Sequence, residues 1–307
     1  MALRVAWKFP LKHPTDISTG VHAHRAGLDV WMERVLERAD KVPPDWDAED
    51  VHDLRTAIRR CRTMADALDQ VNPSPGWRKL KHGTRDLFHA MGSLRDIHVE
   101  RQWIKKLARP GDALRRFMLR LLARQEARQR ILTEKALDDF DRKSWRKWSR
   151  KLSSKARFFP LESVVFQRLA LAELNQVVEL FQSARKRPSS IAWHRLRIRI
   201  KRFRYLVENF LPQRYEVWVE DLKALQDLLG DVHDLDVLRV AMRRQRSHLN
   251  PELLEQWLEK IKAERKARLA EFLAKTTGKE SPWLIWRAGF HWGNSIAAAP
   301  MPQRRTA

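Results

Sequence analysis

The chain has 307 residues, of which 43% are hydrophobic and 32% are charged, a composition typical of a packed protein and not of a disordered or collagen-like one. Its 61 Lys and Arg residues outnumber its 38 Asp and Glu residues and leave a formal charge of +23, which predicts a polyanionic partner: nucleic acid, inorganic polyphosphate or an anionic membrane surface. With only 10 glycines to occupy left-handed turn positions, a hairpin-rich β protein is not expected, and a mostly helical chain is.

The first part of the chain shows helical periodicity with proline-containing breaks. Apolar residues at three- and four-residue spacing predict a helix over 17–42, which Pro43 and Pro44 end. A second helix is expected after an N-cap at Asp47 and before a break over 72–75. Further helices are predicted over 76–91, 95–107 and 110–137.

Residues 142–160 are rich in Lys and Arg, lack a clean apolar face and end at Pro160, so we interpret them as a basic connector. After the connector the same order resumes, with helices predicted over 161–186, 190–210, 215–229, 233–245 and 252–275. The predicted organisation is all-α, with an N-terminal segment (1–14), a first half (15–141), the connector (142–160), a second half (161–277) and a C-terminal tail (278–307). The sequence does not decide whether Trp283, Trp286 and Trp292 of the tail pack internally or contact a partner.

Two segments that lie 142 positions apart share one pattern. His52, Arg55, Arg59 and Arg62 align with His194, Arg197, Lys201 and Arg204, and the N-cap candidate Asp47 aligns with Ser189. After a four-residue deletion, 92–99 align with 230–237, so that Arg95 matches His233, and Arg85 matches Lys223. We interpret this pattern as an internal duplication, which gives either one pseudo-symmetric helical domain or two abutting bundles.

Each repeated segment places its basic residues on one narrow stripe of a helix. A His at position i and bases at i+3, i+7 and i+10 fall at about 0, −60, −20 and −80 degrees on a helical wheel. The apolar face is centred about 110 degrees away, so the stripe borders the core and is partly desolvated. Because like charges at this spacing repel, and because Arg binds phosphate oxygens bidentately, the stripe favours a phosphate-rich ligand. Arg60 and Arg199 fall off the stripe and are expected to be ordinary solvated charges.

These residues resemble the conserved histidine α-helical domain (CHAD) family, whose members carry a His-x-x-Arg-x-x-x-Lys/Arg-x-x-Arg helix in each of two helical halves. The more specific copy is His194-x-x-Arg197-x-x-x-Lys201-Arg202-x-Arg204-Tyr205, and Leu229-Gly230-x-x-His233-Asp234-x-x-Val237 resembles the second motif of the family. The resemblance covers about 17–272 and implies two pseudo-symmetric four-helix bundles with a basic cavity between them. It further implies non-catalytic binding of inorganic polyphosphate in that cavity.

Carried over by resemblance, the polyphosphate contacts come from both halves. In the first half they are His52, Arg55, Arg59, Arg62, Arg85 and Arg95, and in the second half His194, Arg197, Lys201, Arg204, Lys223 and His233. Asp96 and Asp234 are expected to orient neighbouring bases or to cap the next helix. No catalytic residue, metal or other cofactor is predicted.

Two other functions stay open at this point. A metal-dependent phosphohydrolase would need a ligand set, but His22 and His24 lie on different helix faces, and His233, Asp234 and Asp236 have no matching set in the first half. Nucleic-acid binding agrees equally well with the charge, although Trp31, Trp193 and Trp257 fall at apolar helical positions that favour burial over base stacking.

The expected compartment is the cytoplasm. Cys61 is the single cysteine and lies in an apolar helical run, so a disulfide framework and every multi-cysteine zinc site are excluded. Arg4 and Lys8 interrupt the N-terminus where a secretory signal would be apolar, and no uncharged segment is long enough to span a bilayer. Association with polyphosphate granules would accompany polyphosphate binding, and the oligomeric state is left open.

Overall fold

The computed structural model describes residues 27–42 and 46–290, and within these ranges the chain forms eleven α-helices and one short 3-10 helix, with no strand. The all-α prediction is therefore confirmed. The helices of the first part are α1 (Leu28–Lys41), α2 (Ala48–Val71), α3 (Pro75–Gly83), α4 (Arg85–Leu107), α5 (Ala113–Asp138) and α6 (Arg142–Ala156). Those of the second part are α7 (Val164–Lys186), α8 (Ser190–Phe210), α9 (Pro212–Arg244), α10 (Pro251–Thr276) and α11 (Pro282–Ala288). The N-terminal segment and the start of the first predicted helix lie outside the described residues.

Helices α2 and α8 begin at the two predicted cap residues. The Asp47 carboxylate accepts a hydrogen bond from the backbone N–H of Glu49 at 2.8 Å, and the Ser189 hydroxyl accepts one from the N–H of Ala192 at 3.1 Å. Each cap satisfies a donor that the helix itself leaves unpaired. As a result, His52 and His194 both lie five residues beyond a cap.

Two predicted helix breaks are wrong. The first part breaks at Thr84, so α4 runs without interruption through Gly92, and α9 is continuous through Gly230. A glycine inside a helix costs about 1 kcal/mol relative to alanine, which packing elsewhere can offset. At Gly92 the absence of a side chain leaves space for Arg55, since an added Cβ would lie 3.5 Å from the Arg55 guanidinium.

Helices that follow one another in the chain pack together, and helices of the first part also pack against helices of the second. Helix α1 contacts α2, α4 contacts α5, α7 contacts α8, and α9 contacts both α8 and α10. Between the two parts, α2 contacts α8 and α4 contacts α9. The larger apolar core takes residues from every helix from α1 to α11, with Leu137 as the residue from α5. A smaller core lies between the C-terminal parts of α4 and α9 and the helices α5 and α10. Both cores therefore contain residues of both parts.

Residues 142–160, interpreted above as a connector, instead contain helix α6, which packs against α1 and α3. Trp145 is fully buried and its indole N–H donates to the Met32 carbonyl at 2.8 Å, and Leu152 is buried seven residues later. Asp141 caps the helix by accepting from the N–H of Ser144 at 2.9 Å. Trp145, Trp148 and Leu152 form a narrow apolar face at i, i+3 and i+7 that the density of Lys and Arg concealed.

The described part of the C-terminal tail packs internally. Trp286 of α11 is fully buried, with its ring 5.3 Å from Phe203 and 6.2 Å from Trp218 between centroids, and Trp283 is buried beside Phe181. Trp292 lies outside the described residues. None of the helices within 27–42 and 46–290 combines the length and the apolar character that a bilayer crossing requires.

Candidate functional site

The contact between α2 and α8 brings the two basic stripes together. Arg59 on α2 donates to the Tyr205 hydroxyl on α8 at 2.9 Å. Arg55 and Arg197 are close enough to interact electrostatically across the interface, as are His52 and Lys201. We call the resulting group of half-buried side chains the basic cluster, and its members are His52, Arg55, Arg59, Arg95, His194, Arg197, Lys201 and His233.

Burial and mutual repulsion weaken the protonation of the cluster. Burial first, and then the charge of Arg59, lower the pKa of Arg55 to about 10. The pKa of Lys201 falls well below its ordinary value because the ammonium is desolvated and faces Arg197, Arg59 and Arg55. These shifts mean that the free protein pays an electrostatic cost to hold its cations so close together.

The cluster contains few charges of the opposite sign. Asp234 interacts with Arg197 and Lys201, and Asp96 interacts with Arg55 and Arg197. Both carboxylates lie within continuous helices, so neither caps a helix, and that part of the prediction is wrong. Their proximity to arginines of both parts agrees with an orienting role.

Two histidines of the cluster contact each other directly. The Nδ1 atoms of His194 and His233 are 3.1 Å apart, so one nitrogen donates and the other accepts a single shared proton. Burial, followed by the charge of Arg197, lowers the pKa of His233 to about 4. The equivalent residues in the first part are His52 and Arg95, and burial, then Arg95, lower the pKa of His52 to about 4.

Arg62 and Arg85 extend the cluster toward α3. The Arg55 and Arg62 guanidinium carbons lie 4.8 and 5.2 Å from the centroid of the Phe88 ring. Arg62 donates to the Lys81 carbonyl and, at 3.2 Å, to the Thr84 hydroxyl, whereas Arg85 is exposed beside it. Phe88 was not predicted from the sequence, because it occupies no position of the repeated motif.

The structure places Arg204 apart from the cluster. Arg204 is only 7% exposed, and its Nε lies 3.8 Å from the carboxylate of Glu208, which accepts hydrogen bonds from Arg60 at 2.6 Å and from the Tyr215 hydroxyl at 3.0 Å. Burial lowers the pKa of Arg204, but Glu208, Tyr205 and Tyr215 together outweigh burial, so the net effect is a raised pKa. In the free protein Arg204 therefore belongs to an ion-pair network between α2 and α8, and its contact with a ligand stays a prediction.

The sequence itself indicates that Arg204 pairs with an acid, because the last base of each stripe is followed four residues later by an acidic residue. Glu208 lies four residues after Arg204, and Asp66, its equivalent, lies four residues after Arg62. An acid at i+4 shares a helix face with the base and competes for it. Asp66 forms an ion pair with Lys81 and interacts with Arg62.

The sequence analysis also named Lys223, Arg60 and Arg199, which are not members of the basic cluster. Lys223 is half-buried, and Asp227 is close to Lys223, Lys201 and Arg204. Arg60 and Arg199, expected to be solvated, instead pair with Glu208 and, at 2.8 Å, with Glu173. Among the described residues, no group of three or more His, Cys, Asp or Glu has the arrangement of a metal site.

Comparison with known proteins places this architecture in a family. The sequence model of the CHAD domain matches residues 26–243. The chain belongs to the CHAD family. A crystal structure of the CHAD domain from the plant Ricinus communis superposes with a TM-score of 0.55 at 22% identity, over 90% of this chain and 91% of that one. A search of curated proteins returned no match. The family match includes α2, α4, α8 and nearly all of α9, the helices that carry the basic cluster.

Proposed function

We propose that this CHAD protein binds inorganic polyphosphate at the basic cluster and does not hydrolyse it. The observation that carries the proposal is the convergence of cations from four helices on one place, with Arg55 and Arg197 interacting across the α2–α8 contact. CHAD domains in general bind polyphosphate. A linear chain of phosphates supplies the dense negative charge that would offset repulsion within the cluster.

The donor chemistry of the cluster supports a phosphate ligand. The Nε atoms of Arg55 and Arg197 are buried and have no hydrogen-bond partner within the described part of the chain. Guanidinium groups present a planar set of N–H donors that matches phosphate oxygens. Small side-chain rearrangements on binding would let these arginines donate to the ligand and recover the cost of their desolvation.

The tryptophans favour polyphosphate over nucleic acid. Binding of single strands commonly uses exposed aromatic rings on which bases stack. Among the described tryptophans, only Trp31 and Trp148 are not buried, and Trp31 is covered by the guanidinium groups of Arg34 and Arg60 at 4.7 and 4.1 Å from its ring centroid. Tyr205, which contacts the basic cluster, is itself buried, and its hydroxyl accepts a hydrogen bond from Arg59.

The experiment that tests the proposal is a competition titration at one fixed salt concentration, because electrostatic affinity depends steeply on ionic strength. Labelled long-chain polyphosphate is bound first, and duplex DNA, single-stranded DNA or unlabelled polyphosphate is added at matched phosphate concentration. We expect displacement by polyphosphate alone. Displacement by DNA would establish the nucleic-acid alternative instead.

The same samples test the absence of turnover. After incubation with Mg²⁺ or Mn²⁺, the recovered polyphosphate should keep its chain length on a gel. Release of orthophosphate that is abolished by His52→Ala or His194→Ala would show that the cluster is an active site.

A further inference from the structure

Helix α6 presents a positively charged face that the basic cluster does not include. No Asp or Glu occurs from Arg142 to Leu161. Among residues 27–42 and 46–290, ion pairs reach α6 and its C-cap only at the ends, from Arg142 to Asp40 at 3.2 Å and from Arg157 to Asp29 at 3.1 Å. Within the described chain no ion pair reaches the six cations between them. Lys155 is half-buried and donates to the Ser74 hydroxyl at 3.1 Å, and the other five are exposed: Lys143, Arg146, Lys147, Arg150 and Lys151.

This charged face is rigidly held. Trp145 and Leu152 are buried on the opposite side of α6, and the Trp145 indole donates to the Met32 carbonyl at 2.8 Å. Lys147 and Lys151 are one helical turn apart, about 6 Å along the axis, and so are Arg146 and Arg150. Like charges at this spacing repel each other, so the face costs the free protein stability that a bound polyanion would restore.

The face is continuous with the basic cluster through α3. A Cβ on Gly76 would lie 2.7 Å from Leu152 and one on Gly83 would lie 2.6 Å from Trp148, so α3 and α6 are antiparallel and in close contact. The surface of α3 adds the exposed cations Arg78 and Lys79 and the exposed His82.

The C-terminal end of α3 lies beside Arg62 and Arg85, which extend the basic cluster. Arg62 donates to the carbonyl of Lys81 and to Thr84, and the exposed Arg85 lies beside Arg62. Phe88 then links Arg62 to Arg55. Basic side chains therefore follow one another from Arg55 over α3 to α6.

We propose that the exposed faces of α3 and α6, here called the α3–α6 surface, form a second docking segment for a polyphosphate chain that leaves the basic cluster past Arg62 and Arg85. This inference rests on the proposed function, since it concerns the same ligand beyond the first site. A linear polyphosphate has uniform charge and no sequence, so regularly spaced cations are sufficient to hold it. The α3–α6 surface therefore gives the protein a preference for long chains over short ones.

An anionic membrane is the competing occupant of this surface. Phe158, two residues beyond the end of α6, is 81% exposed, and a basic helix with an exposed aromatic residue is also a feature of peripheral membrane proteins. The continuity with the basic cluster favours a chain that occupies both places. Anionic vesicles are therefore included in the test.

The test compares two ligands and two matched variants. Tripolyphosphate is too short to extend beyond the cluster, whereas long-chain polyphosphate reaches α6. The variant Lys147→Gln/Arg150→Gln/Lys151→Gln removes three charges from the α3–α6 surface, and Arg120→Gln/Arg124→Gln/Arg128→Gln removes three exposed charges from α5, which carries no cluster residue. A second surface variant, Lys79→Gln/His82→Gln on α3, repeats the test on the other helix.

We expect both surface variants to weaken long-chain binding, the α6 variant by about tenfold, and to leave tripolyphosphate binding unchanged. For the α6 variant, the slope of log affinity against log salt should become shallower by about 2 for the long chain, as the loss of three phosphate contacts requires. The α5 variant should change neither ligand by a comparable factor. Circular dichroism checks that every variant keeps its helices.

Each contrary outcome has a distinct meaning. If the wild-type chain binds neither ligand, the proposed function fails. If it binds both and the surface variants match the wild type, only the docking segment is wrong. If the surface and α5 variants weaken both ligands equally, net charge alone acts, and if the surface variants lose only binding to phosphatidylserine vesicles, the surface is a membrane contact.

Discussion

Arg55 and Arg197 occupy equivalent positions in the repeated pattern and interact across the α2–α8 contact. Their charges repel each other, and Asp96 and Asp234 partly offset this repulsion. A residue that is costly in the free protein and valuable in the complex is what a binding site requires. Substitution should therefore separate binding from folding at these two positions.

We predict that Arg55→Ala and Arg197→Ala each weaken the binding of a short polyphosphate at unchanged one-to-one stoichiometry. A charge-assisted contact to phosphate contributes roughly 1.5 to 3 kcal/mol, so each loss should be at least tenfold. Isothermal titration calorimetry gives affinity and stoichiometry together. Arg202→Ala, on an exposed position of α8 outside the cluster, is the matched control. Two ligands per wild-type chain and one per mutant would show instead that the stripes are separate sites.

The histidines predict a pH dependence. In the free protein the pKa values of His52 and His233 are about 4, so both imidazoles are neutral at pH 7. A bound polyanion favours the protonated form and raises these pKa values, so binding takes up protons. Affinity should therefore rise as pH falls from 7 toward 5. Calorimetry in two buffers of different ionisation enthalpy measures the proton uptake directly, and His52→Gln and His233→Gln should each reduce it.

The lowered pKa values of His52 and His233 also affect the stability of the free protein, which falls as pH decreases, whereas the affinity for polyphosphate rises. Because the folded pKa of about 4 lies below the ordinary value of 6.5, the unfolded chain binds more protons between these pH values. The histidine contribution to stability is present above pH 6.5 and is lost as pH falls toward 4. Polyphosphate should counteract this loss. Carboxyls with raised pKa values, such as Glu100 at about 7, titrate in every variant and cancel in the comparison with His52→Gln.

At the scale of the helices, the sequence predicted the beginnings of α2 and α8 because Asp47 and Ser189 carry side-chain oxygens that cap a helix. It also predicted which face of each helix carries the stripe, since periodicity alone decides that. It did not predict the break at Thr84 or the continuity of α9, because a glycine such as Gly230 marks a break only when packing does not hold the helix together.

The site could be predicted only in part. Helical periodicity assigns a residue to a face but not that face to a neighbour, so the meeting of Arg59 with Tyr205 depends on tertiary packing. The i,i+4 spacing of Arg204 and Glu208 indicates an ion pair, but the repeated pattern assigned Arg204 to the ligand instead. Helix α6 was missed because seven basic residues concealed a narrow face centred on Trp145.

Glycine substitutions test the packing of these helices. We predict that Gly83→Ala destabilises the protein, because the added Cβ would lie 2.6 Å from the Trp148 ring and force α6 away from α3. Gly230→Ala should stabilise it by about 0.5 to 1 kcal/mol, because nothing lies within 4 Å and alanine is the better helix former. Urea denaturation measures both changes. Equal effects at the two sites would contradict the close contact of α6 with α3.

At the scale of the whole molecule, the repeated pattern does not divide the chain into two independent cores. The larger core joins Leu54 of α2 to Leu196 of α8, and the smaller core joins Leu114 of α5 to Leu238 of α9. Helices α4 and α9 contribute to both. A rigid helix shared by two cores transmits the loss of one to the other, and it also fixes Arg95 and His233 relative to the stripes on α2 and α8.

We therefore predict that the chain unfolds in one cooperative transition, with the same urea midpoint by circular dichroism and by tryptophan fluorescence. Leu54→Ala in the larger core and Leu114→Ala in the smaller core each remove a fully buried side chain and should cost about 2 to 5 kcal/mol. Each should shift the single transition as a whole, because the shared helices α4 and α9 leave neither core able to unfold alone. A biphasic curve, in which Leu114→Ala shifts one phase and Leu54→Ala shifts the other, would show that the two cores are separate folding units.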